Sequence, residues 1–389
     1  NDSRRLAVQT MDRPQTRLDL FFVDREGGQP THILTERDKG WVNIHDDLYF
    51  LKKSGRFLWA SERSGYMHLY LYDLNGKLLG PVTSGDWAIR SAAGAVSWLR
   101  QAVHSIDEEG SWVYFTSIRK SSIEKHLYRV RFDGSGLERL TQRAGTHGIG
   151  FSANGQFYFN QHSSGSTPPS LALHARDGSR LEVVAPARPE IFSNLGMRPP
   201  EHFSIKTGDG FRMPAQLLRP DGFSPGRKYP VIMHVYGGPA APMVKDAWPS
   251  RTYFDQVLLN HGYVVFRCDN RSATARSKAL ENGILHDAWG SGELADLLEA
   301  IGWLKSQPWV DPDRVGIWGW SGGGSFTLRA MTGSGEFRAG ISVAPVTDWD
   351  YYDTIWTEAF MKRPQDNPEG YERTSLVRKA SELRGRLLI

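Results

Sequence analysis

Val315-Gly316-Ile317-Trp318-Gly319-Trp320-Ser321-Gly322-Gly323 reads as an apolar strand entering a sharp turn, and Ser325 to Met331 reads as the helix after it. A serine presented between strand and helix sits on a strained turn. Small residues two before and two after it, here Gly319 and Gly323, let the chain pass without a clash. The backbone N–H of Gly322 then points to where an oxyanion would form, at the N-terminus of that helix. As a bare pattern Gly-x-Ser-x-Gly occurs by chance, and the alternative is a structural glycine-rich turn. Its placement between strand and helix makes Ser321 a candidate nucleophile.

The segments around this elbow alternate between buried strands and amphipathic helices. Phe211–Leu218, Tyr229–Val235, Gly262–Phe266 and Gly340–Ala344 read as strands. Tyr253–His261 reads as a short helix. Gly292 to Leu304 carries Leu294, Leu297, Leu298, Ile301 and Leu304 at helical spacing. This grammar predicts an α/β-hydrolase domain over 196–389, built on a mostly parallel sheet. Arg386-Leu387-Leu388-Ile389 opens one more apolar strand, so the domain is expected to be incomplete at its C-terminal side. A second oxyanion donor is expected from the loop His234-Val235-Tyr236-Gly237-Gly238-Pro239, where the Tyr236 hydroxyl is the candidate and a packed tyrosine in a Gly-Gly-Pro turn the alternative.

Residues 1–195 follow a different grammar. A strand, a glycine turn and a second strand recur: Leu18–Phe21 with Gly27, His68–Tyr72 with Gly76, His126–Val130 with Gly134, and Ser170–Leu173 with Gly178. Those glycines lie 49, 58 and 44 residues apart. A period of roughly 40–50 residues with about four strands per unit predicts part of a β-propeller, roughly four blades. An ordinary β-sandwich is the alternative, but it gives no reason for the phrase to recur at blade spacing.

Composition narrows the function classes. With 47 basic and 43 acidic residues among 389, the charge of +4 is spread along the chain, and no basic block suggests nucleic acid. The single cysteine, Cys268, excludes an internal disulfide and cysteine metal clusters. The 12 histidines show no ligand spacing, so no metal or other cofactor is expected. No apolar run reaches the roughly 18 residues of a membrane span.

One feature of the order of residues stands out: no histidine follows Ser321. In α/β-hydrolases the serine is followed by the acid and then the histidine. The expectation is that acid and base lie beyond Ile389 and that the sequence is cut at both ends. His286-Asp287 precedes the serine and is expected to serve a surface role. Asp348, Asp350 and Asp353 belong to a different segment.

With these residues in place the chain resembles the prolyl oligopeptidase family of serine peptidases, in its dipeptidyl peptidase IV branch. The resemblance rests on Val235–Pro239, Asp269-Asn270-Arg271-Ser272, Gly316–Ser321 and Val343-Ala344-Pro345-Val346-Thr347-Asp348-Trp349, continuing through Tyr351 to Glu358. It implies a propeller gating a hydrolase, peptide substrates, and cleavage after proline or alanine near a peptide N-terminus through an acyl-enzyme. Ser321 matches the nucleophile, Tyr236 and Gly322 the oxyanion donors. Val346, Trp349 and Tyr352 match walls of the slot for the residue before the scissile bond. Trp356 stands where the family usually has tyrosine, and Gly322 where the branch often has tyrosine. Both departures bear on preference between proline and alanine.

The glutamate pair that holds the substrate amine in this branch is expected before Asn1. Glu108-Glu109 reads instead as a solvated turn. A tripeptidyl peptidase, a prolyl oligopeptidase or an acylaminoacyl peptidase of the same fold is the nearest rival. A catalytically dead propeller-hydrolase used for binding is the rival from another class, though inactive members typically lose the serine. The resemblance also points to a periplasmic or secreted setting and leaves a homodimer open.

Overall fold

The computed structural model describes residues 4–90, 101–248 and 253–389. The first part is a series of antiparallel meanders. Strands β1 (Arg5–Met11), β2 (Arg17–Asp24) and β3 (Thr31–Arg37) form a three-stranded sheet. Strands β4 (Leu48–Leu51), β5 (Arg56–Ser61), β6 (His68–Asp73) and β7 (Leu78–Pro81) form the next. The third comprises β8 (Val103–Asp107), β9 (Trp112–Ser117), β10 (His126–Arg131) and β11 (Glu138–Arg139). The fourth comprises β12 (Thr146–Phe151), β13 (Phe157–Ser164), β14 (Thr167–Ala175) and β15 (Arg180–Ala185).

These sheets are propeller blades, and the recurring phrase in the sequence is the hairpin joining the last two strands of each. Its four glycines have φ between +83° and +98°, backbone that side-chain-bearing residues rarely adopt. Alternation along the inner strands explains how the blades stack. Phe57 and Trp59 of β5 pack with Leu18, Leu20 and Phe22 of the first sheet, while Leu58 and Ala60 turn toward Val113 and Phe115 of the third. Tyr114, between those two, packs instead with Leu127 and with Tyr158 of the fourth sheet. The second and third blades are thus buried on both faces by their neighbours, which a two-sheet sandwich does not do.

The second part is one seven-stranded sheet. It contains β16 (Glu201–Lys206), β17 (Arg212–Leu218), β18 (Tyr229–His234), β19 (Val264–Cys268), β20 (Val310–Trp320), β21 (Ala339–Val343) and β22 (Arg386–Leu388). The order is β16-β17-β19-β18-β20-β21-β22. The β16–β17 and β17–β19 pairings are antiparallel, and β19, β18, β20, β21 and β22 run parallel to one another with helices in the crossovers, as an α/β-hydrolase requires.

Two local readings needed adjustment. The helix after the elbow spans Gly322–Gly333 and begins three residues earlier than the glycine run suggested. Gly323 and Gly324 are helical because the chain packs against them: a Cβ at 323 would stand 2.3 Å from the Val235 carbonyl oxygen, and one at 324 would stand 2.6 Å from that of Val343. In the Ser291–Lys305 helix, Leu294, Leu297, Ile301 and Leu304 are buried, whereas Leu298 is 36% exposed at the rim of the apolar face. Among the described residues no helix is long and apolar enough to cross a membrane.

Candidate active site

Register brings the functional segments to one end of the sheet. Met233 and His234 of β18 pair with Ile317 and Trp318 of β20, and Trp320 pairs with Val343 of β21. The loops after these three strands therefore leave side by side, at the carboxyl ends where open α/β sheets bind ligands. Ser321 lies in the second of them.

Ser321 has φ +56° and ψ −121°, a strained conformation for a residue with a side chain. It is held from both sides. Its N–H donates to the Val343 carbonyl at 2.9 Å, and its carbonyl accepts from Ser325 N at 3.0 Å. A Cβ at Gly319 would stand 2.4 Å from the Gly323 carbonyl oxygen and 2.6 Å from that of Val235, so both flanking glycines are needed for the loop to close. Gly322 opens the following helix and is buried.

The Tyr236 loop packs directly on this turn. Val235 N donates to the Trp318 carbonyl at 3.0 Å, and Gly237 takes φ +78° against the ring of Phe326. Burial, and after it the nearby Tyr352 hydroxyl, holds the Tyr236 phenol above its ordinary value. The group stays a protonated donor throughout the neutral range, which is what stabilising an oxyanion demands.

The candidate slot residues form one aromatic group. Trp349 and Trp356 stack at 5.2 Å, and Tyr352 meets both edge-on at 6.3 and 5.7 Å. Val346 is tied back to the elbow helix, because Ser325 Oγ donates to its carbonyl at 2.8 Å and accepts from its N–H at 2.9 Å. The helix Thr354–Met361 that carries Trp356 is capped by Asp353, whose carboxylate accepts from Trp356 N at 2.7 Å. Beyond Trp356 lies a cavity of about 100 Å³, bounded by Gln15, Val42 and Ile44 of the first propeller connections. All seven sequence-derived positions thus converge: Ser321, Gly322, Tyr236, Val346, Trp349, Tyr352 and Trp356.

Three contributors were not foreseen. Trp289, from the turn before the Ser291–Lys305 helix, donates its indole N–H to the Tyr236 carbonyl at 2.8 Å and packs on Gly322. The pairing of Gly322 with a tryptophan elsewhere is the only signal that could have found it. Asp269 and Asn270 were noted only as a motif. Asp269 accepts from Met243 N and Val244 N at 2.8 and 3.0 Å, and Asn270 Nδ2 donates to the Gly237 carbonyl at 3.3 Å. Both hold the loop that follows Tyr236.

The remaining candidates are structural. Asp287 accepts from Ser291 N and Oγ and bonds Arg373, capping a helix. Glu108 accepts from the backbone N–H of Lys52 and Lys53 in an exposed turn. Among the described residues no histidine hydrogen-bonds the Ser321 hydroxyl, and His234 is taken up by Arg267 behind Trp318.

Comparison with known proteins agrees with this architecture. Residues 1–169 match the dipeptidyl peptidase IV N-terminal region and residues 250–389 match the prolyl oligopeptidase family. Dipeptidyl peptidase 8 of Mus musculus is 32% identical over 98% of this chain and 46% of its own length. Dipeptidyl peptidase 4 of Trichophyton equinum is 29% identical over 99% of this chain and 50% of its own. The crystal structure of dipeptidyl peptidase 4 from Porphyromonas gingivalis superimposes with a TM-score of 0.89 at 32% identity, covering 99% of this chain and 53% of that one. The chain spans about half the length of the relatives it matches. With a propeller region of one kind, a hydrolase sheet of the other and an elbow at their shared site, the chain belongs to the prolyl oligopeptidase family, in its dipeptidyl peptidase IV branch.

Proposed function

We propose that this chain forms the nucleophile half of a serine exopeptidase that releases dipeptides from peptide N-termini, cutting after proline or alanine. We assign residues 1–195 to the propeller and 196–389 to the catalytic domain. The observation that carries the reading is Ser321 at φ +56° on the strand-to-helix turn, beside the Tyr236 loop and the Trp349–Trp356 slot.

In this reading Ser321 Oγ attacks the scissile carbonyl and passes its proton to a histidine base. The oxyanion accepts from the Tyr236 hydroxyl and the Gly322 N–H. Collapse expels the amine and leaves an acyl-Ser321 ester, which water hydrolyses by the same steps in reverse roles. The flat indole walls suit a proline ring or a small apolar side chain and exclude water from the bond. The histidine and the acid that orients it follow the serine in the hydrolase order and are a requirement of the proposal.

Fluorophosphonate labelling of the full-length protein tests the nucleophile. Ser321→Ala is expected to abolish labelling with an unchanged melting temperature, and persistent labelling would place the nucleophile elsewhere. Chromogenic Gly-Pro, Ala-Ala-Pro and N-blocked substrates test the cutting habit. Fast turnover of the blocked substrate would exclude an exopeptidase in favour of an oligopeptidase or acylaminoacyl peptidase.

A further inference from the structure

Trp289 is a bulky residue held at φ +50°, in the left-handed region that costs side chains roughly 1–2 kcal/mol. It is only 4% exposed. Three contacts hold it there. Its indole N–H bonds the Tyr236 carbonyl at 2.8 Å. Its ring lies 5.4 Å from each of Trp349 and Trp356, nearly parallel to the first and tilted on the second. Its ring edge fills the space above Gly322: a Cβ there would stand 2.5 Å from Cζ2 and 3.0 Å from Cη2. The same edge lies 3.0 Å from where a Cβ at Gly238 would be.

The ring cannot swing away from such a Cβ. It is clamped between two indoles and a hydrogen bond, and no flexible terminus is available to yield. Gly322 is therefore required by Trp289 and not by the elbow alone, since the elbow glycines proper are 319 and 323.

We propose that Trp289 is a specificity-setting positioning residue. It takes the volume a side chain after the nucleophile would occupy, closes the slot from behind Trp349 and Trp356, and fixes Tyr236 through its carbonyl. This rests on the serine-peptidase reading of the site. The slot is accordingly shallow and matched to a small apolar residue such as alanine. Widening it at 289 shifts preference toward bulkier residues, including proline.

The test is a double-mutant cycle at 289 and 322 in the full-length protein, read by melting temperature, fluorophosphonate labelling and kcat/KM on Ala-Ala and Gly-Pro chromogenic dipeptides. Gly322→Ala is expected to lower the melting temperature and slow labelling by about tenfold or more. Trp289→Leu is expected to slow labelling by several-fold, because the Tyr236 carbonyl loses its donor, and to shift the Gly-Pro over Ala-Ala ratio by about tenfold, the range a methylene-scale change in an apolar pocket gives. The double variant should recover the labelling and melting of Trp289→Leu alone. Additive losses in melting temperature overturn the pairing. An unchanged Gly-Pro over Ala-Ala ratio in Trp289→Leu overturns its role in specificity. Failure of the parent protein to label or turn over would sink the peptidase reading, and the specificity role with it, while the melting cycle still decides the pairing.

Discussion

The propeller and the hydrolase bury their apolar residues in opposite ways. Among the described residues the propeller has three serial clusters, each shared by two adjacent blades, and none of them joins the first sheet to the third. The hydrolase has one large cluster running from Trp41 to Tyr371, which includes Phe326 under the Tyr236 loop as well as Trp289 and Trp349 of the site, and beside it a small satellite of Leu218, Leu259 and Val265. In the propeller a defect should stay where it is made, as in repeat proteins whose units contact only their neighbours. In the hydrolase it should reach the serine.

The largest effect that would break this contrast comes from matched truncations. Phe266 on β19 and Phe115 on β9 are both fully buried. Replacing either with alanine should cost about 3–5 kcal/mol. Phe266→Ala should also slow labelling of Ser321, whereas Phe115→Ala should leave the labelling rate of the folded protein unchanged. Equal slowing by both would show that the two cores communicate.

A second effect sharpens the contrast through pH. In the fourth blade burial holds His147 near pKa 4, with the rings of His126 and His162 tilted against it at 5.1 and 4.8 Å. In the hydrolase burial instead raises Asp269 and Glu293 to about 7. A buried neutral histidine is protonated more readily when unfolded, so below pH 6.5 it lowers stability progressively until about pH 4. A buried neutral carboxyl has the opposite sign, and its contribution weakens as pH rises from about 4 to about 7. Histidines on the hydrolase side follow the first sign: burial holds His234 near 3 and also lowers His202 and His286. His147→Asn should therefore flatten the fall in unfolding free energy between pH 6.5 and 4 by on the order of 2 kcal/mol, measured by denaturant titration at each pH. An unaltered slope would mean that acid sensitivity does not originate in this blade.

The smallest effect lies where the two regions meet. Arg13, at the β1–β2 turn, forms a two-pronged ion pair with Glu358 on the helix that carries Trp356, and Gln15 Nε2 donates to the Ile355 carbonyl at 2.6 Å. Arg13 is mostly exposed, so Arg13→Ala should leave melting nearly unchanged. A change of about twofold in the Gly-Pro over Ala-Ala ratio is expected, because the loss lets the Trp356 helix shift. A large drop in melting would make the pair a structural clamp.

How much of this was legible in the sequence follows from the same contrast. The blades were readable because hairpins are local: Gly27, Gly76, Gly134 and Gly178 announce their turns with no reference to the rest of the chain. The elbow was readable for the same reason, and the aromatic run from Val346 to Trp356 because it is contiguous. What depends on distant packing was not. The glycines at 323 and 324 look like helix breakers until Val235 and Val343 are seen against them. Trp289 and Asn270 reach the Tyr236 loop from other connections, and nothing near either residue announces that contact.

Trp41 carries a consequence for how the molecule can be taken apart. It leaves β3 in the propeller, yet its ring sits 4.7 Å from Phe360, lies under the Lys278 ammonium and is 3% exposed. The proposed division near residue 195 is a line along the chain that space does not respect. A piece beginning there would carry a hydrolase core with one indole removed, a hole beside the very helix that bears Trp356. Modular exchange of propellers among such enzymes would have to transfer the loop around Trp41 with the catalytic part, or find another ring to plug the gap.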